Sequence, residues 1–301
     1  MEKIKINNYK ETRFKTGIAL GNFDGVHLGH KKIITSMVEE SKTLGFHPSV
    51  MLFSKHPKEV LFGESPKLIT SSRDKEEIFK GLGIKTIYEI DFDNEFRKLS
   101  PEDFVKEILV DKLNVNSVFV GFDYKFGYKA SGNVETLKKL ADKYNFIVNV
   151  LDPVYDEKRV LSSSEIRELI KKGEIELVNE MLDRSYKIRG KVVHGNKIGK
   201  TLGFPTANID LCCDYPIPKI GVYETKTIVD GIKYKSVTSI GTNPTVGGEV
   251  VKIETYILDF DKNIYDEEIE VEFCRYLRDE LVFDNLEDLK RQMGKDVNKV
   301  K

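Results

Sequence analysis

The sequence predicts an α/β domain with a parallel sheet, followed by a small antiparallel β-barrel that ends in a helix. Three observations support this prediction. Short apolar runs alternate with helix-like segments until about residue 151. From about residue 186, polar and apolar residues alternate along longer runs, and an Asp230-Gly231 turn joins two of these runs. Because 301 residues are enough for two domains of ordinary size, we predict domains at residues 1–184 and 185–301.

The first half alternates strand signals with helix signals. Ser100-Pro101, with an acid three residues after the serine, is typical of a helix start. Strands separated by helices of this length are joined by right-handed crossovers, so we expect a parallel sheet covered on both faces, with ligands at the carboxyl ends of its strands. The predicted strands are 17–23, 48–53, 84–90, 116–122 and 146–151, and the predicted helices are 31–44, 71–82, 100–112, 134–144, 162–173 and a short segment to 182.

The second half changes to the two-residue period of strands. The runs on either side of Asp230-Gly231 form a strong hairpin signal, because this dipeptide favours the tight turn between antiparallel strands. Several such strands in succession predict a small antiparallel barrel. The predicted strands are 186–195, 221–229, 232–240, 251–260 and 267–277, and the chain is predicted to be helical from about residue 286.

The composition argues against some partners. The 48 Lys+Arg are balanced by 49 Asp+Glu, and the lysines are interleaved with acids, so we do not expect duplex nucleic acid as a main partner. No apolar run approaches the length of a membrane span, and the first residues hold no signal-peptide core, so no membrane partner is expected. Three cysteines without a C-x-x-C pair fit a reducing, cytoplasmic compartment. The composition leaves the oligomeric state open, a homo-oligomer included.

The stretch GNFDGVHLGH, residues 21–30, is the first candidate site. Its glycines allow a ligand to approach the backbone, and the helix that follows offers free N–H groups to a phosphate. His27 and His30 are three residues apart and can stabilise charge that develops during phosphoryl or nucleotidyl transfer. A structural role is the alternative for a single histidine. A zinc site would need more ligands than these two histidines, and the other histidines show no paired spacing. The phosphate-binding candidates are Gly21, Asn22, Phe23, Asp24 and Gly25.

This stretch resembles the signature G-x-F-D-G-x-H-x-G-H of the FMN adenylyltransferase domain of prokaryotic bifunctional riboflavin kinase/FAD synthetases. FSKHP (53–57), VGFDYKFG (120–127) and LSSSEIR (161–167) resemble further family segments, with Lys55, Tyr124 and Ser164 as departures. The resemblance implies a Rossmann-like nucleotidyltransferase domain in which both histidines contact ATP phosphates. It also implies that Asp123 lies at the FMN/ATP site and that phosphates are bound by Ser163, Ser164 and Arg167. The alternatives are a plain helix cap for the serines, and loop ordering or a metal for Asp123.

The second candidate site is VVHGNKIGKTLGFPTANI, residues 192–209. A P-loop needs four residues between Gly and Gly-Lys-Thr, whereas Gly195 and Gly199 enclose three, and GFPTAN follows. We therefore reject a P-loop. These two glycines and Gly203 suggest a flap whose amides close over phosphates. Thr206 and Asn208 offer hard oxygen atoms on one side of a strand, which suits Mg²⁺.

This second stretch resembles the riboflavin kinase signature G-x-x-x-G-x-x-x-G-F-P-T-A-N, and the similarity continues through GVYETKT, SIGTNPTVGG, IETYILDF and YLRDELVFDNLEDL. The resemblance implies that Glu254 is the general base for the ribityl hydroxyl, whereas taken alone this residue would be a solvated side chain on a charged strand. Arg278 is a candidate contact on the flavin or the phosphate side, a surface arginine being the alternative. The three glycines and Pro205 are the candidates for binding ATP, and Thr206 and Asn208 are the candidates for Mg²⁺. Tyr256 departs from the family's usual histidine. The whole resemblance runs from about residue 15 to 297.

Both motif sets together predict an enzyme that phosphorylates riboflavin with MgATP to FMN and ADP, then transfers AMP from ATP to FMN, giving FAD and pyrophosphate. A non-catalytic flavin- or nucleotide-binding regulatory protein is the alternative, and it would not require a base at Glu254. A relic of an aminoacyl-tRNA synthetase would also contain H-x-G-H, but the balanced charge disfavours it.

Overall fold

The computed structural model describes residues 1–9, 11–156, 159–195, 198–245 and 248–301. These residues form two compact units. The first contains Met1–Pro66 and Ser72–Ser162, and the second contains Lys67–Ser71 and Ser163–Lys301. The second unit therefore includes two helices that precede residue 185. We predicted that two domains with separate activities meet after residue 184, and this division of the activities stays a prediction.

The first unit is a six-stranded parallel sheet in the order β1-β4-β3-β2-β5-β6. Its strands are β1 Glu2–Lys5, β2 Thr16–Leu20, β3 His47–Phe53, β4 Thr86–Ile90, β5 Val115–Gly121 and β6 Ile147–Leu151. Its helices are α1 Leu28–Leu44, α2 Pro57–Phe62, α3 Ser72–Leu82, α4 Pro101–Asp103, which continues into the π-helix Phe104–Lys112, and α5 Val134–Tyr144. A two-stranded ribbon follows, with β7 Tyr155–Asp156 and β8 Arg159–Val160.

Alternate side chains of the strands enter two separate cores, which confirms a parallel sheet covered on both faces. On one face Ala19 and Val50 pack with α1 and α3. On the other face Leu20 and Met51 pack with the π-helix and α5. The predicted helix start at Ser100 is confirmed, because Ser100 and Asp103 cap each other's backbone N–H groups.

The second unit is a closed antiparallel barrel in the order β10-β13-β12-β11-β14-β9, which confirms the predicted barrel and terminal helix. Asp230 and Gly231 have φ angles of 51° and 77°, the left-handed conformation that their tight turn requires. The strands are β9 Tyr186–Val193, β10 Thr206–Leu211, β11 Gly221–Val229, β12 Ile232–Thr245, β13 Gly248–Ile257 and β14 Glu268–Arg278. The helices are α6 Ser163–Lys172, α7 Ile175–Leu182, α8 Ile198–Thr201 and α9 Leu286–Val300. No helix in the described ranges is long and apolar enough to cross a membrane.

Five fully buried hydroxyl groups bond to one another inside the barrel. Thr225 lies 2.8 Å from both Ser236 and Thr238, measured between side-chain oxygens. Thr227 donates to Ser236, and Thr238 donates to Thr255. Because each hydroxyl can both donate and accept, the cluster satisfies groups that burial would otherwise leave unpaired.

Thr225→Val is expected to lower the free energy of unfolding by about 1–3 kcal/mol, because two buried hydroxyls lose their partner while the side-chain shape is kept. Chemical denaturation of the full chain would measure the loss. Adding Thr238→Val removes another member of the same cluster, so the double variant is expected to lose less than the sum of the two single losses. Strictly additive losses would show that the hydroxyls do not act as one cluster.

Candidate functional site

The first candidate site lies where the connections of the sheet change direction. Strands β2 and β5 are neighbours, but the chain leaves β2 through α1 on one face and leaves β5 through α5 on the other. Such a switch point opens a crevice at the carboxyl ends of the two strands. The structure therefore brings together two predicted segments, the glycine-rich loop 21–30 after β2 and the loop that carries Asp123 after β5. Asp123 is exposed, and its Oδ1 lies 3.2 Å from where a Cβ on Gly121 would stand.

The glycine-rich loop is held in an unusual backbone shape. Phe23 and Val26 have φ angles of 45° and 39°, which non-glycine residues rarely adopt, and both side chains are buried. Such strain persists only where packing determines it and is concentrated at functional sites. The loop ends at His27, whose Nδ1 accepts a hydrogen bond from the His30 backbone N–H at 3.4 Å and so caps α1. An Nδ1 that accepts leaves the ring proton on Nε2.

The two predicted histidines stack on each other at the start of α1. Their ring centroids are 3.7 Å apart with an interplanar angle of 21°, and the Phe23 ring meets the edge of His30 at 5.2 Å. Burial is the main cause that lowers the pKa of His30 well below 6.5, and the neighbouring His27 ring and the positive charge of Lys75 lower it further, so this ring is neutral. His30 Nδ1 is buried and has no hydrogen-bond partner among the described residues. A buried, unpaired polar atom at a helix N-terminus is typical of a site that a ligand completes.

Stability is expected to fall when the pH drops below about 6.5, because the pKa of His30 is lowered only in the folded chain. The unfolded state then binds a proton that the folded state excludes, which favours unfolding. His30→Gln should lose this part of the pH dependence, whereas the exposed control His194→Gln should keep it. Thermal unfolding between about pH 8 and about pH 5 measures both. Equal pH dependence in the wild type and His30→Gln would contradict the expectation.

The residues predicted to bind phosphate after the first sheet lie at the start of α6, in the second unit, and are Ser163, Ser164 and Arg167. Arg167 Nε donates to the Lys67 carbonyl at 2.8 Å, and its Nη1 donates to the Ser163 carbonyl at 3.2 Å. The guanidinium is therefore oriented against the helix that carries the serines. Phosphate binding by this group stays a prediction.

An aromatic cluster lies at the carboxyl edge of the first sheet, and the sequence analysis missed it. Phe53, at the end of β3, contacts Phe92 and Phe96 with ring centroids 5.3 and 5.7 Å away. Tyr124 and Phe126, after β5, stack at 5.7 Å, and Phe126 belongs to the core against which Tyr124, Phe53 and Phe96 pack. The sequence feature that could have predicted the cluster is the presence of aromatic residues where these two strands end. This placement suits a flat ligand.

The second candidate site lies across two paired barrel strands. Asn208 of β10 stands opposite Glu254 of β13, so their side chains lie on the same face. Thr206 is two residues before Asn208, and its Oγ1 donates to Glu254 Oε2 at 3.4 Å. Thr255, the residue next to Glu254 on β13, is buried inside the barrel. Because side chains alternate along a strand, Glu254 lies on the outer face, and the predicted metal ligands Thr206 and Asn208 lie there with it.

The predicted glycines need their small size for different reasons. A Cβ on Gly195 would collide with the Asn208 side-chain amide, and a Cβ on Gly199 would collide with the Phe204 carbonyl oxygen. Gly203 has a φ of 86°, in the left-handed region that favours glycine. Pro205 is exposed between Gly203 and β10. The flap expected here includes residues 196 and 197, which lie outside the described residues.

Two more side chains border Glu254. The Lys252 ammonium contacts the Glu254 carboxylate, a pairing that was not predicted, although residues two apart on a strand share a face. Tyr256, the departure from the family pattern, packs against Phe204 with ring centroids 5.3 Å apart and an angle of 80°. This contact fixes the GFPTAN segment on β13, which gives the tyrosine a structural role.

Arg278 joins the end of β14 to α9. Its Nε and Nη2 donate to Asp296 Oδ2 at 2.9 and 2.7 Å, and its Nη1 donates to the Asp279 carbonyl at 2.9 Å. Gln292 donates to the other Asp296 oxygen, so this buried carboxylate is fully bonded. The predicted flavin contact of Arg278 stays a prediction beside this ionic role.

A cleft of about 560 Å³ opens at one end of the barrel. Val251, three residues before Glu254, forms part of its wall. Its size is within the range of small-molecule sites. Its apolar walls are Ile217, Pro218, Ile220, Ile240 and Val251, and its charged rim is Lys171, Lys219, Asp279 and Glu280.

The chain has two glycine-rich candidate sites for phosphate binding, one in each unit. Such sites define a two-domain transferase that uses nucleotides. The family model for FAD synthetase matches residues 9–165, and the model for riboflavin kinase matches residues 182–301. The chain belongs to the bifunctional riboflavin kinase/FMN adenylyltransferase family.

Similar proteins cover nearly the whole chain. The bifunctional riboflavin kinase/FMN adenylyltransferase of Listeria monocytogenes is 41% identical over 93% of this chain and 89% of its own. The protein of the same name from Bacillus subtilis is 36% identical over 95% of this chain and 92% of its own. A solved structure of a macrolide-efflux protein from Streptococcus pneumoniae has a TM-score of 0.92 and 30% identity, and the match covers 99% of this chain and 98% of that chain.

Proposed function

We propose that the barrel phosphorylates riboflavin with ATP to give FMN and ADP, and that the α/β unit transfers AMP from ATP to FMN to give FAD and pyrophosphate. The observation that supports this most is that Glu254 lies opposite Asn208 and within 3.4 Å of Thr206, beside the glycine-rich segment. A protein that only bound flavin would not need a carboxylate in this place.

In the kinase step, Glu254 accepts the proton of the terminal ribityl hydroxyl while that oxygen attacks the γ-phosphorus of ATP. Lys252, whose ammonium contacts Glu254, supplies positive charge beside the transferred group. Thr206 and Asn208 present hydroxyl and amide oxygens that fit a hard cation, and Gly195 leaves room for the Asn208 side chain. These two residues would hold Mg²⁺, which neutralises phosphate charge when bound.

In the adenylyl step, an FMN phosphate oxygen attacks the α-phosphorus of ATP and pyrophosphate leaves in line. The N-terminus of α1 offers N–H groups to the phosphates, and the His27 tautomer places a proton on Nε2. The unpaired Nδ1 of the neutral His30 gains its partner from the bound nucleotide. Both rings therefore stabilise the developing charge without becoming covalent intermediates.

The two flavin rings need two apolar places. We place the ring of FMN on the aromatic cluster of the first unit, where Tyr124 and Phe96 offer flat surfaces. We place the ring of riboflavin in the barrel cleft, because its walls are apolar and its volume suits a small molecule.

Incubation with riboflavin, ATP and Mg²⁺, followed by chromatographic separation of the flavins, tests the proposal. Formation of FMN and then FAD is expected. Formation of FMN alone would confine the activity to the barrel. The absence of both FMN and FAD would disprove the proposal. Tight flavin binding without turnover would favour the regulatory alternative. The three free cysteines agree with work in a reducing cytoplasm, with flavins and ATP/ADP as ligands rather than nucleic acid.

A further inference from the structure

Lys75 occupies a position on α3 that an apolar residue would normally hold. Ile78, Phe79 and Leu82 follow it at helical spacing and pack on the core shared with α1. Lys75 is half-buried and is the first residue of the stripe by which this helix packs on the core. Since α3 runs from the carboxyl edge of the sheet back to the start of β4, the stripe begins at the edge where the adenylyl site lies.

A short chain of ring contacts joins this stripe to the histidines. The Phe79 ring meets Phe23 at 6.2 Å, and Phe23 meets His30 at 5.2 Å. Lys75 lies one helical turn before Phe79, toward the glycine-rich loop. Its positive charge acts on His30, and the Asp24 carboxylate of that loop acts on Lys75. The charge of the ammonium therefore acts with an acid inside the glycine-rich loop and on the histidine at the end of that loop.

Among the described residues, no side chain or carbonyl forms a hydrogen bond or salt bridge with Lys75. Neighbouring Lys3, by contrast, pairs with Glu76 and Glu89. Burial lowers the pKa of Lys75, against the opposing influence of Asp24. Lys75 is half-buried, so its ammonium loses part of its hydration without a hydrogen-bonded partner among the described residues, and a bound anion would offset that cost.

The two sides of the crevice are chemically different. The aromatic cluster belongs to the core on the α5 face of the sheet, whereas Lys75 heads a stripe that packs on the α1 face. An in-line displacement places the attacking and leaving oxygens on opposite sides of the phosphorus. With FMN on the aromatic side, the leaving group points to the side of Lys75.

We propose that the Lys75 ammonium binds the β- and γ-phosphates of ATP and retains the pyrophosphate after it leaves. The proposal rests on the adenylyl transfer proposed above. An FMN phosphate oxygen forms the new bond to the α-phosphorus, the bond from that phosphorus to the bridging oxygen breaks, and pyrophosphate departs with the electron pair. Lys75 keeps its proton and neutralises the charge that develops on the bridging oxygen.

Inorganic pyrophosphate with Mg²⁺ is the probe, and calorimetric titration of the full chain is the measurement. Lys75→Met is expected to weaken pyrophosphate binding about 10- to 100-fold, the loss of one charge-assisted hydrogen bond. Lys75→Arg, which keeps the charge, should weaken it less. Lys80→Met is the matched control, because Lys80 is an exposed lysine on the same helix, and it should bind like the wild type.

A second measurement does not depend on turnover. The pKa of His30, followed by NMR, should rise in Lys75→Met, because the neighbouring positive charge is removed, and should stay unchanged in Lys80→Met. Pyrophosphate should raise the pKa of His30 in the wild type. Unchanged FMN formation by the barrel, with an unchanged far-ultraviolet circular dichroism spectrum, would show that each variant is folded, and Lys75→Gln replaces Lys75→Met if the latter fails to fold.

Wild-type affinity for pyrophosphate in Lys75→Met would overturn the proposal, as would a wild-type chain that does not bind pyrophosphate. Weaker FMN binding with unchanged pyrophosphate binding would also overturn it, because it would place Lys75 on the acceptor side. Failure of the wild type to form FAD would instead disprove the proposed function. The pyrophosphate-binding and NMR measurements do not need FAD formation. They would therefore still show whether Lys75 binds pyrophosphate.

Discussion

Glu254→Gln is expected to slow FMN formation about 10²- to 10⁴-fold, the usual contribution of a general base, while FAD formation from supplied FMN and ATP continues at the wild-type rate. Glutamine keeps the size and the hydrogen-bonding oxygen that Thr206 contacts. It loses the charge that Lys252 binds and the ability to accept the hydroxyl proton. Chromatography of the flavins at saturating riboflavin and ATP would separate the loss of kcat from a change in KM.

The control for this variant is another lysine-paired glutamate on a barrel strand. Glu272 of β14 bonds Lys233 at 2.8 Å, and Glu272→Gln should leave FMN formation unchanged. Similar losses in both variants would indicate that the barrel depends on strand charge pairs in general. Wild-type FMN formation in Glu254→Gln would show that Glu254 is not the base.

His27→Ala is expected to lower FAD formation about 10²- to 10³-fold and to leave FMN formation intact. The structure adds a complication, because His27 also caps α1, and loss of a cap lowers stability by about 1 kcal/mol. His27→Asn separates the two roles, since asparagine is a good N-cap but has no imidazole. The asparagine variant should regain the stability of the wild type and remain inactive in FAD formation.

Rates with supplied FMN and the melting temperature of each variant are the measurements. If His27→Asn formed FAD at the wild-type rate, the ring would act only as a cap. If either variant also lost FMN formation while remaining folded, the assignment of the two activities to two units would be wrong.

The sequence predicted most of the regular structure, and the histidine caps explain two of its misses. Helix α5 has the predicted bounds, and the barrel strands follow their alternation. Helix α1 begins at Leu28, three residues earlier than predicted, because the cap is His27 rather than a serine, threonine or aspartate. The short helix α2 was missed for the same reason, since its cap is His56, whose Nδ1 accepts from the Lys58 N–H. Strand β1 was missed because its charged sequence EKIK forms an exposed edge.

The site was predicted only as far as local spacing reaches. The stacked rings of His27 and His30 follow from their three-residue separation at a helix start. The meeting of Asn208 with Glu254 depends on the register of β10 against β13, which no local pattern encodes. Likewise, the coupling of Lys75 to His30 depends on how α3 packs beside α1. These tertiary relations needed the structure.

The closed barrel has a thermodynamic consequence for its outer face. Thr206, Asn208 and Glu254 lie on strands bonded on both sides, so their separations are set when the chain folds. Little conformational entropy remains to be lost there when a nucleotide arrives, which favours a geometry already close to that of the reaction. Residues 199–205, with Gly199 and Gly203, lie outside this ladder, so ordering of the described part of the chain on substrate binding should be concentrated there. The entropy of nucleotide association should therefore respond to substitutions of Gly203 more than to substitutions on the strands.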